Sequence, residues 1–110
     1  MTELKKYKMF IDGMWVESDT KKTFETLNPE NNKPWAIVPE ASANDVDKAV
    51  NAAQKAFEGE WSKLLPRERG NFLRAIANKL RENAELLGKV ETIDTGKLFR
   101  ETNGQANYIA

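Results

Sequence analysis

The stretch PRERGNFLRAIANKLRENAELLGKVETIDTG, residues 66–96, decides how this chain is read. Leu73, Ile76, Ala77 and Leu80 recur at three- and four-residue steps, and Leu86, Leu87, Val90 and Ile93 repeat the pattern after a break near Asn83. A helix gathers residues so spaced onto one face, so the pattern predicts a broken pair of amphipathic helices over about 66–95. Pro66 suits the first helical position, where its missing N–H would be unpaired anyway, and Gly96 is free to take the left-handed conformation that closes a helix. The apolar faces of this pair are expected to supply the core.

Working back towards the start, Ser42 with Asp45 three residues on has the spacing of a capping box. Val46, Ala49, Val50, Ala53 and Phe57 then follow at helical intervals, predicting a helix over about 43–57 that ends at Gly59. Its stripe is rich in alanine, which lets a partner approach closely. Trp61, Leu64 and Leu65 are expected to fill the space beneath the connection into Pro66.

Further back, Met9-Phe10-Ile11 and Met14-Trp15-Val16 are β-prone runs separated by Asp12-Gly13. That pair tolerates positive φ at both centres of a type I′ turn, so the segment predicts a β-hairpin. Thr23–Leu27 and Trp35–Val38 predict a second hairpin, with Asn28-Pro29, Asn31, Asn32 and Pro34 as turn material and Pro39 as its end. Beyond Gly96 the apolar pattern resumes with Leu98, Phe99, Ala106, Tyr108 and Ile109 and is still running at Ala110, as if a helix had been cut. The expected fold class is α+β: two N-terminal β-hairpins, an amphipathic helix, a broken helix pair and the start of a further helix.

Composition removes several functions. Lys plus Arg and Asp plus Glu number 17 each in 110 residues, so there is no overall excess of positive charge to meet a nucleic-acid backbone. Lys5, Lys6 and Lys8 make a small basic N-terminus, but no apolar segment follows them, which sets the expectation of a cytoplasmic protein without a membrane partner. There is no cysteine and no histidine, which excludes catalytic triads, thiolate zinc sites and redox dithiols. The six glycines form no Gly-x-Gly-x-x-Gly or Walker loop. Glu82 and Glu85 share a helix face, where a solvated charged surface outweighs an acid/base pair.

Asp94 is the carboxylate whose placement asks for a reason. In the last turn of a helix the unpaired carbonyls disfavour an anion by roughly 0.3–1 kcal/mol. Two kinds of compensation fit the sequence: Lys97 or a nearby backbone N–H, and a bound cation taking Asp94 together with carbonyl oxygens of a neighbouring loop.

Seven ordered pieces carry a resemblance. They are Phe10–Val16, Leu27-Asn28-Pro29, Asp45–Val50, Ala53 with Ala56-Phe57, Trp61, Glu68-Arg69 and Glu91–Lys97. In order and spacing this resembles the N-terminal portion of the aldehyde dehydrogenase superfamily. The resemblance implies NAD- or NADP-dependent oxidation of an aldehyde to a carboxylic acid by a homo-oligomer, with residues 1–110 lying before the cofactor loop and the catalytic domain. The family's catalytic cysteine, general-base glutamate and oxyanion asparagine match no position here. Its cation site, K⁺ or Na⁺, does: the resemblance places carbonyls of Thr26 and Leu27 and the carboxylate of Asp94 there. Leu98-Phe99-Arg100-Glu101 departs from the proline that often follows the lysine in relatives. The segment is thus expected to be structural, with the rest of the enzyme as its partner. The competing expectation is a free-standing, non-catalytic module that offers the face from Leu98 to Ala110 to a partner helix.

Overall fold

The computed structural model describes residues 3–110. Their contacts divide into two units: the described residues up to Leu27 with Pro34–Lys63, and Asn28–Lys33 with Leu64–Ala110.

In the first unit, β2 (Met9–Ile11) and β3 (Met14–Val16) follow a two-residue β1 (Lys5–Lys6). β2 and β3 pair antiparallel with Phe10 opposite Trp15, and their rings lie 5.0 Å apart. Asp12 and Gly13 have φ of 51° and 76°, as a type I′ turn requires. The second hairpin also forms, from β4 (Thr23–Asn28) and β5 (Lys33–Pro39). Hydrogen bonds from the Asn32 N–H to the Asn28 carbonyl and from the Glu40 N–H to the Lys22 carbonyl mark its two ends and make it antiparallel.

Two readings of this region are corrected. The basic N-terminus is a strand: Lys5 and Lys6 pair parallel with Ala36 and Ile37, giving a three-stranded sheet in the order β1-β5-β4. Pro34, expected as turn material, lies inside β5, whereas Pro39 is the last residue of the strand and ends it as expected. β5 is central only at Ala36 and Ile37, so both prolines sit where no β1 partner needs an N–H.

Helix α1 (Ala43–Glu58) starts as the spacing predicts. The Ser42 hydroxyl accepts the Asp45 N–H at 3.1 Å and Asp45 Oδ2 accepts the Ser42 N–H at 3.0 Å, so both halves of the capping box are made. The Gly59 N–H closes the helix on the Lys55 carbonyl, and a single further turn, α2 (Glu60–Lys63), follows.

In the second unit, α3 (Pro66–Glu82) and α4 (Ala84–Thr95) are parted at Asn83, whose side chain donates to the Lys79 carbonyl at 2.8 Å. Gly96 ends α4 at φ 75°, its N–H on the Thr92 carbonyl. Helix α5 (Phe99–Ile109) packs tightly on α4: Ala84, Gly88, Thr102 and Ala106 are buried at the crossing. A Cβ on Gly88 would come within 2.9 Å of the Asn103 N and Cα, so only glycine permits this approach.

The core is therefore not where the periodicity placed it. The buried apolar residues among those described are Ala36, Ala84 and Ala106, and α3 has none. Val50, Leu73, Ile76 and Leu86 are all more than half exposed, as is Leu65, while Trp61 is also exposed. Apolar burial among the described residues is confined to alanines, where backbones can approach; the large stripes of α1 and α3 meet too little of their own units to be covered.

Candidate functional site

The residues expected to hold a cation fall in both units. Thr26 and Leu27 lie on β4 in the first, and Asp94 lies in the last turn of α4 in the second. The second unit by itself also contains the turn that follows Leu27. Within it Asn28 Oδ1 accepts the Glu30 N–H at 2.9 Å, and the Asn31 and Asn32 N–H groups both reach the Asn28 carbonyl. Pro29 packs on Gly96: a Cβ added there would meet the Pro29 Cγ at 3.0 Å. Asn28, Thr92, Gly96 and Lys97 share the lining of a hollow of about 340 Å³ with Leu98 and Phe99.

The ends of this segment are braced. Thr95 Oγ1 donates to the Glu91 carbonyl at 2.7 Å and accepts the Lys97 N–H at 3.3 Å. The Lys97 ammonium meets Glu91 Oε1 at 2.7 Å. Among the described residues no cluster of three or more His, Cys, Asp or Glu exists to hold a metal through side chains alone.

A second polar constellation, in the first unit, has no counterpart in the sequence reading beyond the cap. Asp45 is 3% exposed and Ser18 1% exposed, and the Ser18 hydroxyl donates to Asp45 Oδ2 at 2.9 Å. The Asp19 N–H reaches the same carboxylate at 3.3 Å. These donors, the Ser42 N–H first, hold the Asp45 carboxyl below its ordinary value against the opposing effect of burial. Asp19 is lowered as well, chiefly by the Asn44 side chain at 2.7 Å. Asp45 thus fastens the loop after β3 to the start of α1. Only the Ser42–Asp45 spacing hinted at this; Ser18, 27 residues away, gave no signal.

The chain belongs to the aldehyde dehydrogenase family, whose model matches residues 15–110. It corresponds to the family's N-terminal segment and is 46% identical over 96 residues to an aldehyde dehydrogenase of Aspergillus niger, covering 87% of this chain and 19% of that protein. A betaine aldehyde dehydrogenase of Bacillus subtilis is 38% identical over 93% of this chain and 21% of its own length. Among solved structures, betaine aldehyde dehydrogenase of Staphylococcus aureus in complex with NAD⁺ superposes with a TM-score of 0.87 at 42% identity, over 91% of this chain and 20% of that one. An NAD-dependent aldehyde dehydrogenase of Sinorhizobium meliloti gives 0.91 at 30% identity, over 96% and 22%. The α+β fold read from the sequence is the fold of these enzymes' matching segment. The chain spans about a fifth of the length of these relatives.

Proposed function

We propose that residues 1–110 form the N-terminal structural segment of an NAD(P)-dependent aldehyde dehydrogenase that oxidises an aldehyde to the carboxylic acid. The observation that carries this reading is the family match over residues 15–110 with a chain a fifth the length of its relatives. The exposure of Leu73, Ile76 and Phe57 supports it, because stripes this apolar gain by being covered by more protein. With no cysteine or histidine, the segment supplies neither thiol nucleophile nor imidazole base, and it has no glycine-rich dinucleotide loop. When bound, the nicotinamide accepts hydride; the present residues serve the scaffold around it. The enzyme is read as cytoplasmic and homo-oligomeric.

The test compares the 110-residue chain with the complete polypeptide, following reduced-nicotinamide absorbance with a panel of aldehydes. Turnover by the complete polypeptide alone is the expected result, and turnover by the isolated segment refutes the structural role.

The same reading assigns the Thr26 and Leu27 carbonyls and the Asp94 carboxylate to a K⁺ or Na⁺ ion. What supports it is the oxygen-only donor set and the packing of the Asn28-Pro29 turn on Gly96, two residues beyond Asp94. Melting of the complete enzyme in K⁺ against tetramethylammonium checks it: K⁺ raises the Tm of the wild type, and Asp94→Ala removes most of that increment. An increment unchanged in the variant excludes Asp94 as a ligand.

A further inference from the structure

The zero net charge conceals a concentration of positive charge in the first unit. Lys6, Lys8, Lys21 and Lys22 line one hollow of about 340 Å³, reached from β1, from the connection between β1 and β2 and from the loop between β3 and β4. Glu17 is the one carboxylate among the lining residues, held by Lys21 at 2.9 Å. Four lysines against one glutamate give the residues lining this hollow a formal excess of three positive charges. Lys6, Lys8 and Lys22 make no ion pair among the described residues.

The backbone that carries these lysines is fixed on both sides. The Tyr7 N–H bonds to the Ile37 carbonyl at 2.9 Å, and the Lys22 carbonyl accepts the Glu40 N–H at 2.9 Å. Lys21, at φ 59°, donates its N–H to the carbonyl of Ser18, which is anchored in turn to Asp45. The lysines therefore branch from a backbone that is already fixed, which leaves mainly their side chains to be ordered on binding. Their fields converge: the Glu17 carboxyl is held below its ordinary value by its hydrogen bond and charge pairing with Lys21, then by Lys8 and Lys6. Glu17 is in effect a resident anion.

We propose that this hollow binds a compact polyvalent anion of the oligophosphate class. The lysine ammonium is a point-charge phosphate binder, and a di- or triphosphate carries charge of the right size to displace Glu17 from the excess. The volume is too small for a nucleic-acid strand. The Lys5 ammonium lies 4.7 Å from the centroid of the Tyr7 ring, covering one face against a stacking base. The hollow and its charge do not depend on the dehydrogenase assignment.

Calorimetric titration of the full-length protein with inorganic tripolyphosphate tests it, with nicotinamide cofactor at saturation so that phosphate-binding groups elsewhere are filled. Binding is expected to weaken with salt, to fall by about tenfold in the triple variant K6Q/K8Q/K22Q, and to tighten by a few fold in Glu17→Gln, which releases Lys21. All four sites are on the surface, so folding is not at stake. A parallel arm with neutral-lipid vesicles, with and without a bisphosphorylated inositol headgroup, separates a membrane source of the phosphates from a soluble one. No binding in either arm, equal binding by the triple variant, or weaker binding by Glu17→Gln overturns the proposal.

Discussion

Thr102 ties α5 to α4 through Gly88: its Oγ1 lies 2.9 Å from the Gly88 carbonyl oxygen and 3.0 Å from Thr92 Oγ1, and the side chain is fully buried. The hydroxyl can donate to Gly88 while accepting from Thr92, so neither polar group is stranded where α4 and α5 meet. Thr102→Val keeps the shape and removes these bonds together with the one to the Phe99 carbonyl at 3.1 Å, leaving the Thr92 hydroxyl without its partner at the contact. The expected loss is about 1–3 kcal/mol by denaturant unfolding, with Thr102→Ser recovering most of it. Equal stability of the valine variant and the wild type would show that water replaces the bonds.

Two glycines in the same helix pair should respond with opposite signs. An alanine at Gly88 drives its Cβ to 2.9 Å from the Asn103 backbone, which must shift, at a typical overpacking cost of about 1–3 kcal/mol. An alanine at Gly104 meets nothing within 4 Å and removes a helix-interior glycine, a gain of about 0.5–1 kcal/mol. Thermal melts of the two variants side by side check the contrast.

Gly96 adds a backbone requirement to a packing one. At φ 75° an alanine is strained by about 1–2 kcal/mol, and its Cβ presses on Pro29 at 3.0 Å. Gly96→Ala should lower the Tm by several degrees, about 4–8 °C per kcal/mol for a domain of this size. Gly96→Asn should lose less strain energy, because asparagine tolerates the left-handed region better; its larger side chain still has to clear Pro29.

The Ser18–Asp45 link makes stability depend on acid. Asp45 has a lowered pKa, so its folded state binds fewer protons than its unfolded state as pH drops. The contribution is fully present above the unfolded value near 3.8 and is lost as pH falls through the lower folded value. Asp45→Asn should therefore reduce Tm at neutral pH, and the gap to wild type should narrow below about pH 4. Ser42→Ala, which removes the capping hydroxyl that also helps to hold Asp45 and Asp19 below their ordinary values, should cost about 1 kcal/mol at neutral pH. A gap for Asp45→Asn that stays constant from pH 7 to pH 3 would show the link to be uncharged in effect.

The parts of the fold that were legible share a cause: each is written in a local backbone rule. Asp12-Gly13, the Ser42–Asp45 box, Pro66 and Gly96 all stand where the sequence puts them, because turns and caps are decided by a few adjacent residues. β1 was invisible because two lysines become a strand only through Ala36 and Ile37, some thirty positions away. Pro34 misled because a proline is tolerated in a strand wherever the neighbour is short, and that depends on the length of β1. The core misled for a different reason. Hydrophobic spacing marks the faces that favour burial, and Leu73 or Val50 remain exposed while Thr102 and Asp45 are enclosed. Of the candidate site, the Asn28-Pro29 turn and Asp94 could be named from their motifs, whereas the packing of Pro29 on Gly96 is a contact between residues 67 positions apart that no local motif encodes.

The tip of the second hairpin, Asn28–Lys33, groups with the helical residues while its stem groups with the strands. No single proteolytic nick can then excise either unit intact: a cut after Lys63 leaves the six-residue tip on the wrong fragment, and the released helices lose the Pro29 ring that covers Gly96. The two pieces are interlaced along the chain, so a useful split of this segment, for complementation or labelling, needs an excision on each side of the tip.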